Sequence, residues 1–295
     1  MKTMSFTPFS VVCRGRLVEF DRPAVMGILN VTADSFYDGG RHLEPEAMLA
    51  HARSLLADGA DIVDVGVSSS RPGAQLLDPD VEAQRLGAAI ALLRNELPDV
   101  LISADTCFSL PARAAVEAGA DIVNDIGGGD TDPLMFAAVA EMQVPYILMH
   151  GAAGHLGLDT DDGDGEGASD LVDRLTHFFS RRLDTLYRLG VKDVWLDPGF
   201  GFGKGLVGDH ELLRRLDELT SLFREPLLAA LSRKSMVFRP LGITAADALE
   251  GTVALDALAL DRGARLLRVH DPRPARQTID LMFNDFHTAK PQQSK

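Results

Sequence analysis

The sequence predicts a (β/α)8 TIM barrel, an α/β fold built from eight strand–helix units. Two observations support this prediction. Short apolar segments alternate along the chain with amphipathic segments of helical period, and eight such pairs can be counted. Because the apolar segments do not alternate with polar residues, they are typical of parallel strands buried on both faces. The units fill roughly 250 residues, which favours one closed barrel over two domains or an open doubly wound sheet.

A hairpin precedes the barrel in the sequence. Residues 11–21 contain two strand-like segments around Gly15, and we expect this hairpin to cap the bottom of the barrel. The barrel is predicted over about residues 24–286, within a single domain that spans residues 1–295. The C-terminal tail at 287–295 is expected to be disordered.

The units follow one another in a regular order. Their strands are rich in Val, Ile and Leu, and the following segments repeat apolar residues with the period of a helix. The predicted strands are 24–30, 61–65, 100–105, 121–124, 145–150, 194–197, 227–231 and 265–270. The predicted helices are 44–56, 81–94, 110–118, 133–141, 169–189, 210–219, 245–262 and 274–283.

Composition and charge narrow the range of functions. The net charge of −14 argues against nucleic acid as the main partner, because binding phosphate along a strand requires a basic stripe. No apolar run is long enough to span a bilayer, and the N-terminus lacks the apolar core of a signal peptide. Cys13 and Cys107 have no disulfide or metal-binding pattern, so we expect reduced thiols in a soluble, cytoplasmic protein. The acidic segment 159–167 lacks the ligand spacing of a calcium loop, and we interpret it as solvated.

The segment 194–204 predicts a ligand site at the end of a strand. An apolar run ends at Asp197, and Pro198 with the following glycines cannot continue the strand. The glycine spacing is neither that of a phosphate loop nor that of a dinucleotide-binding turn. A carboxylate therefore lies at a strand end, under a loop whose backbone can approach a ligand closely.

Polar residues follow the other predicted strands as well. Any one of them could be a helix cap, but barrel enzymes build their sites where the carboxyl ends of the strands meet. The joint pattern therefore indicates a functional site. Its members are Asn30, Gly66 with the loop 68–71, Asp105, Asn124, His150, Asp197, Lys234, Arg268 and His270.

These residues suggest two halves of a site. Three acceptors with one lysine suit a flat heterocycle that displays an amino-amide edge, because a carboxylate accepts two parallel N–H bonds; they are Asp105, Asn124, Asp197 and Lys234. A second group suits phosphate, and it consists of Arg71, Arg268 and His270. Asn30 adds an oxygen that could ligate Mg2+ together with substrate phosphates.

From Val25 to about Asp271 the chain resembles the dihydropteroate synthase family of folate biosynthesis. The matching motifs are 26–36, 61–66, 70–73, 103–106, 118–125, 197–204, 231–235 and 267–271. The resemblance implies condensation of 6-hydroxymethyl-7,8-dihydropterin pyrophosphate with p-aminobenzoate, which yields 7,8-dihydropteroate and pyrophosphate. It also implies Mg2+ as cofactor, a homodimer, and a sulfonamide target whose sensitivity depends on the loop 70–73.

The resemblance assigns roles to individual residues. It implies a pterin site at Asp105, Asn124, Met149, Asp197 and Lys234, although Met149 could equally be a core residue. It implies a pyrophosphate site at Asn30, Arg268 and His270, with Mg2+ on Asn30. It places p-aminobenzoate beside Ser70, Arg71, Phe202 and Ser235. The implied catalytic residues are Asp34, which would steady a pterin cation, Arg71 and Lys234.

The sequence departs from the family pattern at three places. Ala33 replaces a usual proline, the loop 67–70 lacks the usual glutamate at Ser68, and Gly205 lacks the usual hydroxyl. Two other functions remain as alternatives. A pterin-binding methyltransferase would not need the phosphate-binding residues, and a non-catalytic pterin-binding homologue would be expected to lose Asp34, Arg71 or Lys234.

Overall fold

The computed structural model describes residues 6–31, 43–68, 76–151 and 168–284. Within them the chain forms a two-stranded antiparallel hairpin and an eight-stranded parallel sheet. The hairpin consists of β1 (Phe9–Cys13) and β2 (Arg16–Phe20). The parallel strands are β3 (Ala24–Asn30), β4 (Ile62–Gly66), β5 (Leu101–Asp105), β6 (Ile122–Asp125), β7 (Tyr146–Met149), β8 (Val194–Asp197), β9 (Leu228–Ala229) and β10 (Leu266–Val269).

The eight parallel strands form a barrel. Their order is β8-β7-β6-β5-β4-β3-β10-β9, and a parallel bridge between Leu196 and Leu227 brings the two ends of the sheet together. Strands β4, β6, β7 and β8 are buried along their full length, as expected for parallel strands covered on both faces. The predicted (β/α)8 fold is confirmed.

Helices follow the strands and cover the outside of the barrel. They are α1 (Leu43–Ala57), α2 (Pro79–Glu96), α3 (Ser109–Ala118), α4 (Met135–Met142), α5 (Ala168–Arg188), α6 (Gly205–Arg214), α7 (Leu216–Leu222), α8 (Ser235–Leu241), α9 (Leu249–Asp261) and α10 (Pro272–Phe283). None of the described helices has the length and apolar character needed to cross a membrane.

Two predicted elements differ in detail, and one helix was not predicted. The helix predicted at 210–219 is two helices, which meet at Arg215. The strand predicted at 227–231 pairs with β10 only over Leu228–Ala229, and Leu227 adds the single bridge to Leu196. Helix α8 was not predicted, since seven residues with an internal proline show little helical period.

The hairpin closes the barrel at its N-terminal end, as predicted. Its inward side chains, Val11, Cys13 and Phe20, belong to a buried cluster with residues near the starts of the barrel strands. Phe20 stacks on Phe9 with ring centres 4.8 Å apart and meets the Trp195 ring edge-to-face at 6.2 Å. With the bottom sealed in this way, the opposite end of the barrel is the open mouth.

Several predictions lie outside the described residues. They concern the candidate site residues Asp34, Ser70 and Arg71, the acidic segment 159–167 and the tail 287–295.

Candidate active site

Sheet register brings the predicted acceptors together at the C-terminal ends of the strands. Asp105 at the end of β5 lies opposite Asn124 of β6. Met149 at the end of β7 lies opposite Asp197 of β8. Asn124, Met149 and Asp197 are all buried. Residues far apart in sequence therefore share one end of the barrel because parallel strands place their carboxyl ends at the same edge.

A buried ionic network joins Arg268 to two carboxylates. The Arg268 guanidinium donates through Nε to Asp64 Oδ2 and through Nη2 to Asp105 Oδ2, each at 2.6 Å. The Asn124 amide donates to the same Asp64 oxygen at 3.1 Å. The exposed fractions of the Arg268 and Asp64 side chains are only 13% and 0%. Charge-assisted bonds of this kind are short and strong. Here the network fixes the orientations of the Asp105 and Asn124 side chains.

Burial changes the proton affinities of two site carboxyls. The pKa of Asp105 is raised to about 7, chiefly because burial disfavours the carboxylate; the Arg268 charge lowers it, and the charges of Asp64, Glu82 and Asp125 raise it further. The pKa of Asp197 is also raised by burial, although Lys234 and the Gly199 N–H favour its ionised form. Groups with perturbed pKa values in a cleft are typical of functional sites.

The glycine loop after β8 is folded around Asp197. The Gly199 N–H donates to Asp197 Oδ1 at 2.7 Å, which fixes the orientation of the carboxylate. Gly199 has a φ of +69°, and a Cβ at this position would lie 2.0 Å from the carbonyl oxygen of His150. Only glycine fits here. Gly205 likewise has a φ of +66°, which explains why this position lacks a side chain.

Lys204 stabilises this glycine loop by hydrogen bonds from its side chain to backbone carbonyl oxygens. Its Nζ donates to the carbonyl oxygens of His150, Gly199 and Phe202 at 3.0, 2.7 and 3.2 Å. Burial lowers the pKa of Lys204 to about 8. The three acceptors leave this ammonium group committed to the loop, so Lys204 supports the site rather than binding substrate.

Lys234 lies on the other side of Asp197. Its Nζ donates to the carbonyl oxygen of Phe200 at 2.5 Å and lies 4.5 Å from the centre of the Phe202 ring. The charge of Lys234 favours the ionised form of Asp197. The predicted pair of a carboxylate acceptor and a lysine donor is therefore present, with Phe202 beside it.

A serine and a histidine form a second polar group at the mouth. Ser232 Oγ accepts from the backbone N–H of His270 at 3.2 Å and lies 3.0 Å from the ring Nδ1. Partial burial and the Arg268 charge lower the pKa of His270 to about 4, so the ring is neutral at pH 7. Ser232 thus occupies Nδ1, and Nε2 is the ring nitrogen that remains for a ligand among the described contacts.

Asn30 and Ser235 take positions at the same end. Asn30 is the exposed last residue of β3, and Ser235 is the first residue of helix α8. The described part of the chain contains no group of three or more His, Cys, Asp or Glu side chains that could hold a metal ion. The side-chain oxygen of Asn30 is of the ligand type that Mg2+ accepts together with water and phosphate oxygens.

Two supporting residues were not predicted as part of the site. Asp64 carries the buried network, and Lys204 holds the glycine loop. The signal for Asp64 is present in the sequence, because a carboxylate inside the apolar segment 61–65 is costly unless it is paired.

Comparisons with known proteins agree with this geometry. The chain matches the family model of the pterin binding enzymes over residues 26–270. It is 39% identical over 272 residues to a dihydropteroate synthase of Streptococcus pyogenes serotype M3, covering 91% of this chain and 97% of that protein.

Solved structures give the same result. The dihydropteroate synthase of Xanthomonas albilineans with 4-aminobenzoic acid has 37% identity and a TM-score of 0.81, covering 93% of this chain and 97% of that one. A structure from that organism in complex with 7,8-dihydropteroate has 36% identity and a TM-score of 0.77, covering 92% and 97%. The chain therefore belongs to the pterin-binding enzymes and, among them, to the dihydropteroate synthase family.

Proposed function

We propose that this chain condenses 6-hydroxymethyl-7,8-dihydropterin pyrophosphate with p-aminobenzoate to give 7,8-dihydropteroate and pyrophosphate. Membership of the dihydropteroate synthases, which are transferases, supports the reaction class. The observation that carries the proposal is the buried carboxylate Asp197 between the Gly199 N–H and the Lys234 charge, at the mouth of the barrel.

The pterin is the ligand that suits the deep part of the site. Asp197 would accept two parallel N–H bonds from the amino-amide edge of the ring. Asp105 and Asn124 would meet other ring donors and acceptors, and Lys234 would donate to a ring oxygen or nitrogen. Met149 would pack against the flat face, since its thioether adapts to such surfaces.

The pyrophosphate would lie at the outer side, where donors remain available. Arg268 uses Nε and Nη2 on carboxylates, which leaves its Nη1 group without a protein hydrogen bond among the described residues. The Nε2–H of His270 would be a second donor. Asn30 would hold Mg2+ through its side-chain oxygen, and when bound the ion would neutralise charge on the pyrophosphate.

The p-aminobenzoate would lie beside Phe202 and Ser235, near the Lys234 end of the site. The motif resemblance adds Ser70 and Arg71, whose guanidinium would pair with the benzoate carboxylate. This arrangement needs no protein nucleophile. The carbon–oxygen bond to pyrophosphate would break first, and the aniline nitrogen would then attack the resulting pterin methylene cation. The protein's part would be positioning and charge stabilisation.

Asp34 is the residue that we propose for steadying this cation. The Asp34→Asn variant should lose turnover by roughly 100-fold or more, because a neutral amide no longer stabilises the positive charge. Its affinity for the pterin pyrophosphate should remain within a few-fold of wild type. Single-turnover kinetics and a binding titration separate the two effects, and unchanged turnover would remove Asp34 from this role.

The reaction is tested by following both products. Purified protein is mixed with both substrates, with and without Mg2+, and pyrophosphate and dihydropteroate are quantified. We expect the two products in equal amounts, dependent on Mg2+ and lost in Lys234→Ala. The same substitution at the exposed Lys192 is the control and should keep full activity. Tight pterin binding without either product would instead identify a binding-only homologue.

We further propose that the whole activity is carried by one domain of a cytoplasmic homodimer. Both cysteines are free and buried, which is consistent with a reducing compartment. Light scattering of the purified protein tests the dimer, and a monomeric mass at assay concentration would refute it. Cell fractionation tests the location.

A further inference from the structure

A buried glutamate lies behind the pterin side of the site and has no part in the mechanism above. Glu82 is in the first turn of helix α2, and only 1% of its surface is exposed. Its side-chain oxygen Oε2 is buried without a hydrogen-bond partner. A buried carboxyl oxygen without a partner is costly, so its place in the structure calls for an explanation.

Glu82 shares a small polar cavity with Asp105. The cavity has a water-accessible volume of about 10 Å³, which is about the space that one water molecule needs. It is lined by Ser68, Leu76, Glu82, Asp105, Thr106, Cys107 and Ile126. No bulky side chain at Ser68 occupies this space. One water there could bridge the partnerless Glu82 oxygen to the Asp105 carboxyl.

The residue that follows Asp105 in the chain also lies close to Glu82. Burial raises the pKa of Glu82, and the side chain of Thr106, the residue directly after Asp105, lowers it again in part. The Thr106 Oγ1 accepts from the Phe108 N–H at 3.3 Å, and the Thr106 N–H donates to the Asn124 carbonyl at 3.0 Å. Glu82 therefore lies beside the turn that follows Asp105 and that contacts Asn124.

Several charged groups of the described residues surround the two carboxyls. Asp64, Asp125 and Arg268 act on Asp105, together with Glu82 itself. Asp125, Glu82 and Asp105 all act on the Cys107 thiol. On helix α2, Asp78, Asp80 and Arg85 lie within one turn of Glu82. Arg268 favours the ionised form of Asp105, and each neighbouring negative charge raises the pKa of Asp105.

We propose that Glu82 is a positioning residue whose negative charge tunes the proton affinity of Asp105, so that Asp105 loses a proton to solvent when the pterin binds. This inference rests on the proposed function, because it takes Asp105 as a pterin ligand. The pterin ring presents N–H donors, which select the ionised carboxylate. The shared cavity places the two carboxyls beside each other, and the raised pKa of Asp105, to which the charge of Glu82 contributes, agrees with the proposal.

The test is calorimetric titration of the full-length protein with the pterin pyrophosphate. Buffers of different ionisation enthalpy report the number of protons released on binding. At about pH 7 the wild type should release up to roughly half a proton, because Asp105 is then about half protonated. In Glu82→Gln the release should fall towards zero, and the acid limb of pterin affinity should move to lower pH by about half a unit or more.

Two further variants show whether the effect of Glu82→Gln comes from the lost charge or from a structural change. Glu82→Asp keeps the charge and should retain the proton release of the wild type. Glu96→Gln, an exposed position on the same helix, is the matched control and should change nothing. Circular dichroism checks that each variant is folded.

Three outcomes would overturn the inference. One is pterin binding by the wild type without proton release between about pH 6 and 8, which needs no variant. Another is a Glu82→Gln profile that coincides with that of the wild type. In both cases the proposed function would stand if dihydropteroate is still made. A wild type that binds no pterin would overturn both proposals.

Discussion

Two aspartate–arginine pairs in this protein have similar geometry and very different surroundings. Arg268 and Asp64 are 2.6 Å apart with the carboxylate fully buried. Arg262 and Asp217 are 3.0 Å apart and largely exposed. Water screens the exposed pair, so its contribution to stability is small. The buried pair is costly to form, but removing Asp64 leaves the Arg268 charge in the interior with Asp105 as its one remaining carboxylate partner among the described residues.

This contrast gives a prediction at the residue scale. Asp64→Asn should lower the free energy of unfolding by about 3 to 5 kcal/mol, because Arg268 loses a buried counter-charge. Asp217→Asn, the matched control, should cost less than about 1 kcal/mol. Urea unfolding followed by circular dichroism measures both. Equal effects would mean that burial does not determine the strength of these pairs.

The sequence predicted the residues at the strand ends but not how they are held. Asp105, Asn124 and Asp197 were recognisable because each directly follows an apolar run. The partnership of Arg268 with Asp64 was not, since the two residues lie 204 positions apart and meet only when the barrel closes. Nor did the sequence reveal the role of both lysines, because Lys234 was predicted as part of the site and Lys204 was not. Their surroundings decide that one ammonium group holds a loop and the other faces Asp197.

At the scale of elements, the hairpin and the glycine loop act at opposite ends of the barrel. The hairpin seals the bottom through Phe20 and its aromatic neighbours, far from the site. The glycine loop shapes the mouth around Asp197. Mutations at the two ends should therefore affect stability and activity separately.

Phe20→Ala tests this separation. Removing the buried ring should lower the free energy of unfolding by about 3 to 5 kcal/mol, through lost burial and the cavity that remains. Turnover at a temperature where the variant is folded should stay within about two-fold of wild type. Leu17→Ala on the same hairpin, where the side chain is 63% exposed, is the control and should change stability by less than about 0.5 kcal/mol. A large loss of turnover in folded Phe20→Ala protein would contradict the separation.

Long helices, which repeat the helical period several times, were predictable from the sequence. Short elements were not. Helix α5 at Ala168–Arg188 and helix α2 at Pro79–Glu96 lie within two residues of their predicted bounds. Helix α8 and the two-residue strand β9 have too few residues to show a period. Their bounds depend on tertiary contacts, such as the pairing of β9 with β10.

At the scale of the whole molecule, buried carboxyls make stability depend on pH. Asp256 in helix α9 is buried, and burial alone raises its pKa to about 8. A carboxyl with a raised pKa in the folded state binds its proton more tightly there than in the unfolded chain. Its favourable contribution is complete below the unfolded value of about 4 and is lost as the pH rises to about 8.

Asp256→Asn should therefore stabilise the protein in a pH-dependent way. The gain in the free energy of unfolding should be on the order of 2 to 5 kcal/mol at about pH 8.5 and much smaller at about pH 4. Asp261→Asn, at the exposed end of the same helix, serves as the control. Thermal unfolding across this pH range measures the difference. A gain that is the same at every pH would show that Asp256 is not protonated in the folded state.

The central claim is that the polar groups at the mouth of the barrel form a pterin site, and direct binding of the pterin pyrophosphate tests it most simply. Isothermal titration should give a dissociation constant at least about 30-fold weaker in Asp197→Asn than in wild type, since a charged hydrogen-bond acceptor is lost. Asp217→Asn should bind as the wild type does. Equal affinity of Asp197→Asn and wild type would contradict the claim.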